Sequence, residues 1–449
     1  MKSYRKHAKA AVMTLILCSI WGTASAERLD MTLEDGVQMA LERNYDIEES
    51  AADLDNAYWA LREARRKTGP TLSWAFEGDA VGGKAYEDWK NRLFTNQGKV
   101  SMPLYSGGKL ENNIKAARMG LSGAELTLER TRQSIRDTVA QDYYGILKCR
   151  SQVGVYEESV GNLQAHLENV NNKYEAGTVA MADVLSSEVN LAQGRQKLVS
   201  ALSDYKVAVA TFNKEVGLPP ETDTNALDKL TYERFLQELP ECEAYALLHR
   251  PDLFQKEYNL LENKAYKEAA KSGYRPTVDA SASRSIEGDG PFKSNRDSSD
   301  SWKAGISVNW NIFDNQVTKA QVKQKEASVR RAEAELQDKL SDVKLEVREA
   351  YVKLKAAEEN INIMADVVNK AEEDYHIEEA RYAAGVGTNL ELMDAQNKLV
   401  EAKGEYINAL YSYNVNKSSL EKAMGVKVEL DVEPYRQALY ENSEKGDKK

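Results

Sequence analysis

The residues able to carry covalent or metal chemistry are few and far apart. Histidines stand at 7, 166, 249 and 376 and cysteines at 18, 149 and 242, with no metal-ligand or disulfide-framework spacing. No nucleophile–base arrangement emerges, so an enzyme is the weakest reading. The mature methionines are scattered and suggest no copper relay. Glutamates and lysines over 333–355 read as the solvated flanks of a coiled coil, not as catalytic pairs. What chemistry remains is electrostatic, and it depends on the elements that hold the charges.

The first 26 residues read as a secretory signal. Lys2, Arg5, Lys6 and Lys9 precede an apolar run from Ala10 to Ile20, and Ala24-Ser25-Ala26 is a cleavage site. Cys18 follows Leu17, too large for lipoprotein processing, and is removed with the peptide. Cleavage takes those four positive charges from a formal net charge of −11, leaving −15. Such acidity argues against nucleic acid as a partner. No later segment has the ~20 continuous apolar residues of a transmembrane helix.

The longest element lies over 317–394. Steps of four and three from Leu336 meet Leu340, Val343, Val347, Ala350, Leu354, Ala357, Ile361, Met364, Val368, Ala371 and Tyr375, with Tyr382 a heptad beyond. A period of 3.5 signals helices wound into a left-handed coiled coil. Ala384-Gly385-Val386-Gly387-Thr388-Asn389 interrupts it, and a return helix starts at Leu390. The same plan occurs 208 residues earlier. Tyr174-Glu175-Ala176-Gly177 matches Tyr382-Ala383-Ala384-Gly385, Asp183-Val184-Leu185 matches Glu391-Leu392-Met393, and Gly217 matches Gly425. The ladder transfers as Leu128, Ile135, Val139, Ile146, Cys149, Val153, Tyr156, Val160, Leu163 and Leu167, broken by Arg132 and Asp142. Before the strands the offset becomes 206, pairing Pro70 with Pro276 and Asp46 with Asp252.

The mature chain is therefore two copies of one plan, mainly α with a small β part. Repeat 1 (27–220) holds a helix over 31–67, a β-hairpin over 71–105, a long helix over 109–176 and a return helix over 181–217. A polar linker follows at 221–246. Repeat 2 (247–425) holds a helix ending at Gly273, a β-hairpin over 276–313, a long helix over 317–384 and a return helix over 390–424. A charged tail, 426–449, is expected to fray. Trp302, Ala304, Ile306, Val308, Trp310 and Ile312 alternate with polar residues and give the clearest strand. A long helix of ~100 Å cannot bury a globular core and needs neighbouring helices. Four strands cannot close a barrel, which needs at least about eight. Either they form a small soluble sheet or several chains pool them. The export signal and the lack of an apolar transmembrane helix favour pooling.

The chain resembles the TolC family of outer-membrane efflux proteins. Arg250-Pro251-Asp252-Leu253, the doubled helix–hairpin–long-helix order and the two glycine turns carry the resemblance, over nearly all of the mature chain. It implies a homotrimer in which three chains each give four strands to a barrel in outer-membrane lipid. The helices continue as a periplasmic α-barrel, girdled by the 221–246 segment and the tail. A periplasmic adaptor and an inner-membrane RND or ABC pump would be the partners, and no cofactor is implied.

The resemblance also implies site residues. Family tunnels close where the turns converge, and Asp183, Glu391 and Asp394 match the acidic constriction. Glu391 and Asp394 share one helix face, and crowding in a trimer would attract cations and raise some carboxyl pKa values. Read locally, they are ordinary acids at the positive end of a helix dipole. Gly177, Thr178, Gly385, Gly387 and Thr388 match the tips offered to adaptors, although glycine there also serves the turn itself. Gly387 stands where some family members place a locking arginine. Cys149, matching the Ala357 rung, reads as a small helix contact, not as half of a disulfide with Cys242. The competing reading is a periplasmic coiled-coil spacer, which would have no use for the alternating strands.

Overall fold

Capping residues set the starts of the longest helices, and glycines their ends. In the computed structural model, which describes residues 28–83, 92–291 and 299–447, β1 (Leu29–Met31) leads into α1 (Leu33–Arg43) and α2 (Tyr45–Arg66). The hairpin β2 (Thr71–Ala80) and β3 (Arg92–Tyr105) precedes α3 (Lys109–Glu175) and its return helix α4 (Met181–Glu215). After β4 (Thr224–Ala226) come α5 (Leu239–His249), α6 (Pro251–Ala270), β5 (Thr277–Gly288) and β6 (Ser299–Asn309). The chain ends with α7 (Val317–Ala383), α8 (Asn389–Met424) and α9 (Glu433–Asp447). The signal segment, loop residues Lys84, Asp88 and Lys90, and the middle of the β5–β6 loop lie outside the described residues.

Both long helices have 67 residues. Ser106 Oγ accepts the Leu110 N–H at 3.1 Å, and Asp314 Oδ2 accepts the Thr318 N–H at 2.8 Å. These caps stand 208 residues apart, so the duplication extends to the start of each helix. The ends match as well: Gly177 and Gly385 have φ of +75° and +76°, and Gly217 and Gly425 both have +76°. Only glycine adopts that left-handed conformation freely, which fixes where each helix stops. Every ladder residue of α7 from Leu336 to Tyr382 is buried or half-buried.

The described residues group into two compact units. One contains those up to Glu42, Thr138–Tyr232 and Glu358–Val415. Its helices surround a core of Leu163, Val170, Val184, Leu191, Tyr382, Leu392 and Met393. β1 and β4 pair in parallel, Asp30 opposite Asn225, and α3 grips this ribbon. The Tyr143 hydroxyl lies 2.7 Å from Asp228 Oδ2 and 3.0 Å from the Met31 carbonyl, and Arg150 donates to the carbonyls of Ala226 and Asp228.

The other unit contains Arg43–Asp137, Glu233–Ala357 and the residues from Asn416 on. Its antiparallel sheet runs β2-β3-β5-β6. One face is apolar through the rows Met102–Ala280–Ile306 and Leu72–Val100–Ala282–Ala304; the next row, Trp74–Gly98–Arg284–Trp302, closes it with two tryptophans and an arginine forked onto Asp300. The opposite face carries mostly polar residues, such as Ser73, Gln97, Ser281 and Ser301. β2 and β6 are edges, and their residues are exposed on both faces.

Three expectations need correction. The helix expected over 31–67 is broken at Asn44, whose ψ of 133° is extended and whose Oδ1 accepts the Asp46 N–H at 2.9 Å. The linker expected over 221–246 holds regular structure, and its boundary at 246 falls inside a helix. It contains β4, and α5 extends to His249, where Arg250 breaks the helix with ψ of 116°. Asn44 and Arg250 stand at the 206 offset, so the break belongs to the repeated plan. The expected final strand stops at Asn309, because its partner Thr277 begins β5 and nothing pairs beyond it.

Nor is the described part of the tail, through Asp447, frayed. Val432 and Leu439 pack with Met119, Leu126, Phe254 and Tyr258. The fully buried Glu129 carboxylate of α3 accepts the N–H groups of Val428, Glu429 and Leu430 at 2.8–3.2 Å. Arg250, also fully buried, forks onto Asp252, donates to Glu346, and reaches the Ala423 carbonyl at 3.3 Å. Lys339 Nζ adds a contact to Asp252 at 2.8 Å. The Arg250-Pro251-Asp252-Leu253 motif thus fastens α6, α7 and the end of α8 with paired charges. An unpaired buried guanidinium there would cost several kcal/mol, roughly.

Candidate functional site at the helical turns

Two turns, α3–α4 and α7–α8, lie in the first unit. At the second, the N–H groups of Val386 and Gly387 both donate to the Arg381 carbonyl at 3.0 Å, after Gly385 has turned the backbone left-handed. A Cβ on Gly387 would come within 3.1 Å of the Tyr382 nitrogen and the Arg381 Cβ, so any side chain there is crowded. At the first turn, Thr178 Oγ1 donates to the Lys173 carbonyl at 2.9 Å.

The acids expected at the constriction have local partners. Thr388 and Glu391 form a capping box: Glu391 Oε2 accepts the Thr388 N–H at 2.9 Å, and Thr388 Oγ1 accepts the Glu391 N–H at 3.2 Å. Asp183 occupies the equivalent position in α4 and accepts the Ala180 N–H at 3.3 Å, but alanine has no side-chain oxygen, and the Asp183 N–H goes to the Ala180 carbonyl at 3.0 Å instead. Asp394 is exposed and pairs with Lys398 at 2.7 Å. Within one chain the Glu391 carboxyl is held below its usual range, chiefly by the Thr388 hydrogen bonds, with Arg381 assisting.

The residues that join the two turns were not anticipated from the sequence. Asn389, itself buried, donates through Nδ2 to the Asp183 carbonyl and to Ser187 Oγ, both at 3.3 Å. Its Oδ1 lies 2.7 Å from His166 Nε2. Because Nδ2 faces two acceptors, Oδ1 must accept, and His166 carries its proton on Nε2. Lys173 Nζ donates to the Tyr382 carbonyl at 3.0 Å and stands 4.0 Å from the centre of the Tyr382 ring. His166 packs against the same ring at 5.1 Å. Asn389 stands where repeat 1 has Met181, and that departure from the repeat was the available signal. Tyr382 OH and Glu378 Oε2 are buried side-chain oxygens without a hydrogen-bond partner among the described residues.

Neither Cys149 nor Cys242 is in a disulfide, and burial pushes both thiols up. Among the described residues no group of histidine, cysteine, aspartate or glutamate could hold a metal ion. No described helix is long and apolar enough to cross a membrane.

The chain is similar to the outer membrane protein TolC of Escherichia coli, at 24% identity over 96% of this chain and 89% of that one. It is 21% identical to the cation efflux system protein CusC of the same species, over 90% and 88% of the two chains. Among solved structures, the CmeC outer membrane channel of Campylobacter jejuni superposes with a TM-score of 0.77 at 16% identity, covering 91% of this chain and 89% of that one. The outer membrane efflux protein profile matches twice, at 36–217 and 244–426, one match for each repeat. The chain belongs to the outer membrane efflux protein family.

Proposed function

We propose that three copies of this chain form a passive exit duct from periplasm to exterior, in a tripartite efflux or type I secretion assembly. One observation carries the reading. A four-stranded sheet with an apolar face, a polar face and two open edges is intolerable in lipid alone, and twelve strands from three copies would close it. The apolar face then meets lipid and the polar face lines the lumen. The helices extend the duct into the periplasm, with repeats over 27–220 and 247–425 and a girdle from 221–246 and the tail. The duct performs no covalent chemistry; a periplasmic adaptor and an inner-membrane pump supply selection and energy.

In this reading Asp183, Glu391 and Asp394 ring the narrow end, and Gly177, Thr178, Gly385, Gly387 and Thr388 form the docking tips. Purified protein should run as a heat-modifiable trimer and conduct ions in planar bilayers. Glu391→Gln with Asp394→Asn should weaken cation selectivity. A bulky residue at Gly385 should abolish adaptor cross-linking without loss of the trimer. Recovery only as a soluble periplasmic rod would overturn the duct in favour of a spacer.

A further inference from the structure

We infer that the polar face of the sheet carries an anion-holding level, built by Lys99 and Lys303, at the height of the membrane. The inference rests on the trimeric duct proposed above. The register sets Ser73, Lys99, Ser283 and Lys303 side by side, one from each strand. On the other face this level falls between the Leu72–Val100–Ala282–Ala304 row and the row Trp74–Gly98–Arg284–Trp302, where Arg284 is neutralised by Asp300 at 2.6 Å. The lysines therefore stand at the loop-side margin of the apolar band, level with the tryptophans. Both are exposed, and no ion pair involves them among the described residues.

Their surroundings leave the two charges uncompensated. The rows on either side along the same face, Thr71–Ser101–Ser281–Gly305 and Ala75–Gln97–Ser285–Ser301, contain no charged residue. Glu77 and Glu287 toward the loops, and Asp279 toward the helices, each lie four residues away along a strand. That is about 13 Å, beyond a Debye length of about 8–10 Å in ordinary buffer.

Threefold symmetry turns the pair into a girdle. Three Lys99 side chains share one height and three Lys303 another. Two strands apart in a wall tilted by about 40°, the two heights differ by roughly 6 Å along the axis. Six ammonium groups in a water-filled lumen with a low-dielectric wall concentrate anions there. The ligand class is the carboxylate, sulfonate or phosphate group of a passing solute. Charge would then be sorted twice, by acids at the periplasmic end and by lysines within the membrane.

The test is the reversal potential of single channels under a potassium chloride gradient at low salt, with Glu391→Gln and Asp394→Asn present to silence the narrow end. Lys99→Gln with Lys303→Gln should raise the K⁺/Cl⁻ permeability ratio about two- to tenfold. It should also relieve block by inositol hexakisphosphate added on the side of the sheet. Lys99→Arg with Lys303→Arg should leave both unchanged, and each single glutamine variant should give part of the shift. Channels whose ratio and block ignore the glutamines would overturn the girdle and leave the duct standing. A wild-type protein that forms no channel would overturn both.

Discussion

His166 Nε2 and Asn389 Oδ1 lie 2.7 Å apart, and through this contact α3 holds the first turn of α8. The amide of Asn389 continues the link to Asp183 and Ser187 of α4. Asn389→Ala should cost about 1–3 kcal/mol of local stability, because it strands buried partners on two helices. Hydrogen exchange should quicken over 178–190 and 385–395, and the resting bilayer conductance should rise. An unchanged exchange pattern would show that apolar packing alone joins the turns.

The same contact should respond to acid. Burial is the main force holding His166 below its ordinary value of 6.5, and Lys173 on its own helix adds to it, while the Asn389 bond opposes both. Tyr382 of α7 and Asn389 of α8 face the ring, with Asp183 of α4 close by. Because the folded pKa is depressed, a separated state binds the proton first. The contact is therefore intact above pH 6.5 and loses stability as pH falls from there toward the folded value. His166→Gln keeps a donor for Asn389 without titrating. Exchange at the turns should accelerate between pH 7.5 and 5.5 in the wild type and stay flat in this variant.

Arg250→Met should destabilise the second unit by about 3–5 kcal/mol, since Asp252 and Glu346 lose the cation between them. Arg250→Lys should fall between, as an ammonium cannot fork onto Asp252 and still reach Glu346 and Ala423. Adding Glu346→Gln to Arg250→Met should recover part of the loss. Thermal unfolding followed by circular dichroism gives the order directly.

Glu129→Gln should release the tail while sparing the helices. The amide offers one acceptor oxygen where the carboxylate offers two, so its NH2 must face the Leu430 N–H or the pair from Val428 and Glu429. A loss of about 1–3 kcal/mol should appear as faster tryptic cleavage after Lys427, with little change in the main melting transition. Equal cleavage in both proteins would mean that Val432 and Leu439 suffice to hold the segment.

The parts of the fold that depend on local pattern were legible in the sequence. A period of 3.5 marks α3 and α7, alternation marks β6, and the glycine turns repeat at 208 residues. The missed parts depend on distant partners. Pro251 marks the break at Arg250 locally, but the anchor of that side chain, Glu346, is 96 residues away, and β1 is only three residues long with its partner near 225. The tail has Val432, Tyr435 and Leu439 on one helical face, but charged residues between them diluted the signal. At the turns, the local reading of Asp183, Glu391 and Asp394 as acids at helix starts agrees with their bonds to Ala180, Thr388 and Lys398. Asn389 and His166 were not legible, because a hydrogen bond across 223 residues leaves no local pattern.

Tyr174 and Tyr382 occupy the same place in the two repeats, yet the first is 44% exposed and the second 6%. Bending is done by backbone torsions that both copies share, so neither turn can vary it without losing its shape. Fastening is done by side chains, and the second turn has taken nearly all of it. Hinge and latch are therefore separable targets: the strength of the latch can be tuned at Asn389, Tyr382 or His166 without altering the path of either hairpin. A graded series of loosened or tightened ducts could be built on one unchanged skeleton.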